Sequence, residues 1–290
     1  MFPWLDRSGR LSALKLSVFV ALFIPGLWIA VQWQQGWLMP KPVTEAIHQT
    51  GDWAVRFLLL SLLVTPLRRA ANWAKLILVR RMIGLAALAY VTIHFVLYVL
   101  DQHFDLAHVA SEIVLRIYLT IGFSALLGLI VLGSTSTDAM IKRLGAKRWQ
   151  ALHRFVYAIA VVALIHFLLQ SKIDVTQAVL MIGFFIVLMG YRLVVKAGFQ
   201  LRAGELAIVA VLGAVLTAAA EASWYGLATG ISGMRVLAAN LDFDLVIRPA
   251  WWVLLGGLII AAVALMRQPK LVRAADRKAN WKGAAFSQQS

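Results

Sequence analysis

Cysteine is absent from this 290-residue chain, and charged residues are scarce. Without thiolates the chain cannot hold a cysteine-ligated iron–sulfur cluster, form a disulfide, use a thiol nucleophile or attach a c-type haem. Charged residues make up 14% of the chain, whereas soluble domains contain about 25%. Any metal or haem must therefore be held by His, Met, Tyr or carboxylate side chains.

Apolar residues dominate what is present. They make up 61% of the chain and the mean hydropathy is +0.80, which excludes a cytosolic enzyme and a disordered chain because soluble domains are about 45–50% apolar. About 20 apolar residues cross a bilayer as a helix. Runs of about this length predict an all-α integral membrane protein, a bundle of about eight transmembrane helices, near residues 14–33, 53–67, 82–100, 114–133, 152–170, 175–195, 205–222 and 249–266. The first run has no small-residue cleavage site and indicates a retained helix.

The net charge of +15 is unevenly distributed along the chain. Most of the 28 Lys and Arg residues lie in segments on one side of the predicted membrane, at 7–15, 68–81, 142–154, 192–202 and 267–282. Basic loops face the cytoplasm, so both termini are predicted to be cytoplasmic, with the basic tail on anionic lipid headgroups. This asymmetry explains the charge without a nucleic-acid partner.

Two histidines fall deep inside predicted spans at the same depth. His94 lies thirteen residues beyond Arg81, and His166 lies thirteen residues beyond His153, which places each roughly 20 Å from the basic side. A histidine inside a span is costly and indicates a functional site. Two imidazoles at matched depth on different helices can act as the axial ligands of a b-type haem iron.

Other interpretations of these histidines stay open. A single histidine in a span can simply hydrogen-bond to a neighbouring helix, and chains of histidines and carboxylates build proton relays. The spans contain few carboxylates, of which Glu221 is the main candidate. Other metal sites usually need three or four ligands at one place, whereas only two coincide here.

The basic side carries a second set of candidate residues. His153 lies beside Arg80 and Arg81 in depth, and no histidine stands at the matching depth on the third span to complete a second haem site. On a straight helix, His153 and His166 would also face different directions. Arginine binds phosphate well, so this region suits either an inner haem or a phosphate-bearing ligand, while ordinary positive-inside anchoring explains the two arginines equally well.

The remaining histidines lie near the opposite side. His48 precedes the second apolar run, where it could contact a haem propionate or a docking partner, although a solvated loop position is the simpler expectation. His103 and His108 fall in an outer loop and are expected to be solvated.

Several motifs resemble a known family. They are residues 63–68 (LVTPLR), 80–84 (RRMIG) leading to His94, 134–140 (STSTDAM), and 144–157 (LGAKRWQALHRFVY) followed by His166. They are similar to the haem-binding membrane subunits of bacterial protein-methionine-sulfoxide reductase systems, within the wider ferric-reductase and NADPH-oxidase-like transmembrane family. The resemblance covers about residues 10–200.

The resemblance implies an electron-transfer subunit of the bacterial inner membrane that holds b-type haem and FMN. Electrons would come from a cytosolic flavin reductase or from quinol and pass to a periplasmic molybdopterin-containing methionine sulfoxide reductase, which repairs oxidised periplasmic proteins. His94 and His166 match the family's haem ligands, His153 its third intramembrane histidine, and His48 a family histidine without an assigned role. Arg80 and Arg81, with His153, are the candidate FMN phosphate site.

The predicted organisation is a six-helix ferric-reductase-like haem domain at 1–200, a two-helix extension at 201–266 that the familiar members lack, and a basic cytoplasmic tail at 267–290. No nucleophile or acid–base constellation is evident, so the chain is not expected to be catalytic alone. The alternatives are a two-haem cytochrome that reduces metal ions or quinone, and a proton-coupled transporter, for which the spans offer few polar groups.

Overall fold

The structure is a computed structural model that describes residues 3–6, 8–172, 174–244 and 246–267. The predicted basic tail, apart from its first residue Arg267, lies outside the described residues. Within the described part the chain is helical, and its only β-type pairing is an isolated bridge between Leu5 and Leu11.

The helices follow one another in the order α1 Ala13–Gln34, α2 Pro42–Ala70, a 3-10 helix Ala74–Val79, α3 Arg80–Asp101, α4 Leu106–Leu115, α5 Ile117–Ser134, α6 Asp138–Leu144, α7 Ala146–His153, α8 Val156–Gln170, α9 Thr176–Lys196, α10 Ala203–Ala228, α11 Gly233–Ala239 and α12 Pro249–Arg267. Eight stretches are long and apolar enough to cross a membrane, with the 3-10 helix and α3 forming one and α7 and α8 another. The prediction of eight membrane-spanning helices is confirmed.

Three details differ from the sequence-based expectations. Helix α2 begins at Pro42, so His48 lies on a helix rather than in a loop. The outer segment after Asp101 contains helix α4, whose N-cap Asp105 accepts a hydrogen bond from the backbone of His108. The fifth span is interrupted at residues 154–155, between α7 and α8. The expectation that His153 and His166 face different directions assumed a straight helix. It no longer applies, because the helix is interrupted between them.

By its internal contacts the described chain divides into two compact units. Unit 1 contains the residues up to Val64 together with Ile77–Met181, and unit 2 contains Thr65–Leu76 and the residues from Ile182 onward. Unit 1 therefore includes α1, most of α2, α3 to α8 and the start of α9. Unit 2 includes the rest of α9 and helices α10 to α12.

Small residues let the helices of unit 1 approach one another closely. Gly128 of α5 lies against the side chain of Ile159 of α8, and Gly133 lies against Leu88 of α3. Glycine at helix contacts is typical of membrane proteins, in which close van der Waals packing drives helix association. Large apolar side chains remain exposed on the surface of unit 1, as at Phe23 of α1, which is 54% exposed.

A tyrosine hydroxyl on α3 lies between two backbone groups of α1 and joins the two helices. The hydroxyl of Tyr90 donates to the carbonyl of Leu22 at 2.9 Å and accepts from the N–H of Gly26 at 2.7 Å. These two backbone groups lie four residues apart and would bond each other in a regular helix. Pro25, which has no N–H, stands beside this site.

Candidate functional site

Helices α2, α3, α5 and α8 of unit 1 surround a cavity of about 350 Å³, here named the histidine-pair cavity. His94 of α3 and His166 of α8 both line it. Most of the remaining lining is apolar, as at Val55, Phe95 and Leu126. An apolar cavity with a few convergent polar groups is typical of a cofactor site.

Each of these histidines is fixed by a backbone carbonyl on the neighbouring helix. His94 Nδ1 lies 2.8 Å from the carbonyl oxygen of Ile47, and His166 Nδ1 lies 2.7 Å from that of Tyr118. A carbonyl oxygen only accepts, so each Nδ1 carries the hydrogen and each Nε2 keeps its lone pair. No residue in the described ranges hydrogen-bonds either Nε2 atom. A histidine whose Nδ1–H donates to a carbonyl is the usual form of a metal-ligating histidine.

Polar side chains line the same cavity near the start of α2 and the start of α9. They include the exposed His48, together with Asp52 and Gln177. Arg56 holds two of them, with its guanidinium 3.1 Å from Gln177 Oε1 and 3.5 Å from Asp52 Oδ2. These groups give the apolar cavity one polar edge.

Asp174, between α8 and α9, also lines this edge. The hydroxyl and backbone N–H of Thr176 hold the pKa of its carboxyl below the usual value of 3.8. Asp174 is therefore an anion at neutral pH.

A second cavity of about 450 Å³, here named the arginine cavity, lies in unit 1 and is lined by Arg80 and Arg81 at the start of α3. Its lining also includes His153, Trp149 and Tyr157. Leu58 and Leu129 line both cavities. The two cavities are therefore neighbours within unit 1.

His153 differs from the other two intramembrane histidines because both of its ring nitrogens have partners. Nδ1 lies 3.1 Å from the carbonyl of Trp149, and Nε2 lies 3.3 Å from the hydroxyl of Ser136. The imidazole also stacks on the Trp149 indole, with the ring centroids 3.9 Å apart. Both ring nitrogens of His153 therefore lie within hydrogen-bonding distance of protein atoms.

Arg81 already forms hydrogen bonds with the loop before α6 and with the first residue of that helix. Its guanidinium donates to Asp138 at 2.5 Å and to the carbonyl of Ser136 at 3.1 Å. This hydrogen bond and the positive charge of Arg81 hold the pKa of Asp138 below its usual value of 3.8. An anion that enters the arginine cavity therefore competes with Asp138 for Arg81.

The structure thus sorts the predicted site residues into two groups within unit 1. His94, His166 and His48 share the histidine-pair cavity, and His153, Arg80 and Arg81 share the arginine cavity. His103 and His108 are exposed and line neither cavity. The described residues contain no cluster of three or more His, Cys, Asp or Glu side chains that could hold a metal ion.

Glu221, the carboxylate named as a relay candidate, lies in unit 2. It is fully buried on α10, and its Oε1 accepts from Arg248 at 3.1 Å. Glu221 lines neither cavity.

Some functional candidates were not predicted from the sequence. Ser136 and Trp149 lie within sequence motifs to which no role was assigned. The Ser136 contact with His153 depends on the loop before α6, whereas Trp149 lies one helical turn before His153 on α7. The carbonyls of Ile47 and Tyr118 carry no side-chain signal at all. Only the packing of the helices shows that these groups touch the histidines.

Residues 50–164 match the family described as "Ferric reductase like transmembrane component". The chain is 40% identical over 190 residues to the "Protein-methionine-sulfoxide reductase heme-binding subunit MsrQ" of Rhodospirillum rubrum, which is 65% of this chain and 89% of that protein. It is 43% identical over 179 residues to the MsrQ of Agrobacterium fabrum (61% and 82%), and 39% identical over 185 residues to that of Klebsiella pneumoniae (63% and 92%). No solved structure matches the chain.

Proposed function

Because this chain belongs to the MsrQ family of haem-binding subunits, within the ferric-reductase-like transmembrane proteins, we propose that it conducts electrons across the membrane through b-type haem. His94 and His166 are the proposed axial ligands. The observation that carries this proposal is the pair of Nε2 atoms on the lining of one apolar cavity, neither of which has a hydrogen-bond partner among the described residues.

The protein residues have a limited but specific task in this function. Bound haem supplies the one-electron redox chemistry, whereas the protein supplies ligation, orientation and burial. The carbonyls of Ile47 and Tyr118 hold both imidazoles in the tautomer that leaves Nε2 free. The apolar lining excludes water from the site, and His48 on the polar edge is the proposed contact of a haem propionate.

We propose the arginine cavity as the FMN site. Arg80 and Arg81 would hold the phosphate, because guanidinium groups bind phosphate bidentately, and the stacked Trp149–His153 pair would border the ring. The double engagement of His153 supports a place beside a flavin rather than a role as an iron ligand. Leu58 and Leu129 would then lie between flavin and haem.

The proposed direction of transfer follows the distribution of charge. The basic loops support a cytoplasmic position for the arginine cavity, in the bacterial inner membrane and with both termini cytoplasmic. Electrons from a cytosolic flavin reductase or from quinol would enter there. They would leave at the opposite side to a periplasmic molybdopterin-containing methionine sulfoxide reductase. The relatives are named as haem-binding subunits of a protein-methionine-sulfoxide reductase, which supports a reductase of this substrate class as the partner.

The haem ligands can be tested on the purified protein in detergent. His94→Ala and His166→Ala are each expected to lose haem and the low-spin b-type absorption spectrum, because one axial ligand is removed. The matched control is His108→Ala, an exposed histidine outside both cavities. Retention of a normal spectrum and haem count by either cavity variant would exclude that histidine as a ligand.

The flavin site is tested by extracting and counting FMN in the Arg80→Ala/Arg81→Ala double variant. Flavin occupancy is expected to fall while haem occupancy stays unchanged. Full flavin occupancy in the double variant would overturn the proposed site. Two haems per chain without flavin, one of them lost in His153→Ala, would instead establish the two-haem cytochrome.

A further inference from the structure

Both histidines of the histidine-pair cavity lie against a glycine on the adjacent helix. A Cβ atom added to Gly122 of α5 would lie 2.6 Å from both Cε1 and Nδ1 of His166. One added to Gly51 of α2 would lie 2.9 Å from Nδ1 of His94. Real Cβ atoms essentially never approach other heavy atoms within 3.0 Å, so neither position accepts a side chain unless the imidazole moves.

The same spacing occurs at both sites. The carbonyl that accepts from His94 belongs to Ile47, four residues before Gly51, and the one that accepts from His166 belongs to Tyr118, four residues before Gly122. Four residues are about one helical turn. In a helix the Cα–Cβ bond tilts towards the N-terminus, so a side chain at the glycine position would project towards the carbonyl one turn earlier. Glycine leaves that carbonyl open to the imidazole.

We propose that Gly51 and Gly122 are positioning residues for the two haem ligands, each forming an imidazole cradle with the carbonyl one turn before it. The inference rests on the proposed function, since it takes His94 and His166 as ligands of iron. It goes further by assigning the orientation of each ring, and the hydrogen bond at its Nδ1, to a glycine. Partners of this kind raise ligand basicity, and their loss typically costs 10–100-fold in metal affinity or activity.

The test compares Gly122→Ala and Gly51→Ala with the control Gly204→Ala. Gly204 lies on α10 and lines neither cavity, and nothing lies within 4 Å of its added Cβ. Haem retention during dilution is expected to fall by about 10–100-fold in Gly122→Ala, by less in Gly51→Ala, and not in Gly204→Ala. This order follows how closely each added Cβ approaches its neighbours.

A readout that a general loss of stability would not move is the electronic state of the haem that remains bound. We expect changed electron paramagnetic resonance g-values and a shifted midpoint potential in Gly122→Ala and Gly51→Ala, since the imidazole planes rotate and the Nδ1 bonds lengthen. The thermal stability of each haem-free protein is measured in parallel. If Gly122→Ala does not fold, Gly51→Ala, whose added Cβ meets the ring less closely, provides the decisive comparison.

The outcomes separate the two proposals. If His94→Ala and His166→Ala keep their haem, the proposed function is wrong. If those variants lose haem, while both cavity glycine variants match Gly204→Ala in retention, g-values and potential, the ligand assignment stands and the cradles are wrong. A changed resonance signature in the cavity variants, with the control unchanged, supports the cradles.

Discussion

At the scale of single residues, the partners of the ring nitrogens distinguish the three intramembrane histidines. His94 and His166 each have one nitrogen bonded to a carbonyl, whereas His153 has partners at both. The sequence places His153 nearer the basic side of the membrane than His94 and His166, but it leaves open what His153 binds. The contact of its Nε2 with the Ser136 hydroxyl distinguishes it from the other two, whose Nε2 atoms have no such partner among the described residues.

Tyr90 provides a test of buried hydrogen bonding in α1. Tyr90→Phe is expected to lower the free energy of unfolding by about 1–3 kcal/mol, because the carbonyl of Leu22 and the N–H of Gly26 lose a buried partner. Unfolding in mixed micelles measures the change. Thr92→Val is the control, since this exposed hydroxyl bonds only within α3; equal effects of both substitutions would contradict the bridging role.

Asp138 is expected to limit anion binding at Arg81. Asp138→Asn removes the competing carboxylate and should increase FMN retention if the arginine cavity holds the phosphate. The pKa of Asp138 is depressed, so the pair persists above that lowered value and is lost only as the pH falls through it, below about 4. Lowering the pH from 8 to 5 should therefore not reproduce the effect of the substitution. Unchanged flavin retention in Asp138→Asn would argue against competition.

At the scale of helices and turns, Gly145 controls the placement of α7. It joins α6 to α7 with φ 75° and ψ 154°, a region populated almost only by glycine, where other residues cost about 1–3 kcal/mol. Because α7 carries Trp149 and His153, Gly145→Ala should lower flavin occupancy and leave haem occupancy unchanged. Gly204→Ala is the control, since nothing lies within 4 Å of its added Cβ. Equal flavin occupancy in the two variants would contradict this role.

The long helices were predictable because a long apolar run by itself indicates a membrane-spanning helix, whatever packs against it. The start of α2 was not, because Glu45, His48 and Asp52 dilute its apolar signal although the helix continues through them. The short helices α4, α6 and α7 were also not predicted. Helix α4 is apolar but too short to span a membrane, whereas α6 and α7 contain several charged residues.

The candidate site was predictable in part. Matched depth along two spans was enough to pair His94 with His166, and charge was enough to group His153 with Arg80. The contacts of Gly51 and Gly122 were not predictable, because a glycine in one helix gives no sign of the side chain that fills its space. Likewise, the interruption between α7 and α8 depends on how the helix ends pack, so sequence periodicity suggested a straight helix.

At the scale of the whole molecule, the histidine-pair cavity and the arginine cavity are both lined by residues of unit 1. The buried Glu221–Arg248 pair belongs to unit 2. Arg248→Ala leaves a buried carboxylate without its partner and is expected to cost about 3 kcal/mol of stability. Haem and flavin spectra should stay unchanged. The control is Arg235→Ala, an exposed arginine in the same unit. Loss of haem in Arg248→Ala alone would show that unit 2 supports the cofactor site.

The bond between Tyr90 and α1 has a consequence for the biogenesis of the protein. Helix α1 leaves the ribosome before α3, and lipid offers no hydrogen bonds to open backbone groups. Until α3 arrives, the carbonyl of Leu22 and the N–H of Gly26 can bond each other, as in a regular helix. Docking of α3 therefore exchanges a hydrogen bond inside α1 for two bonds to Tyr90, so the backbone of α1 reaches its final form only after the third helix has been made.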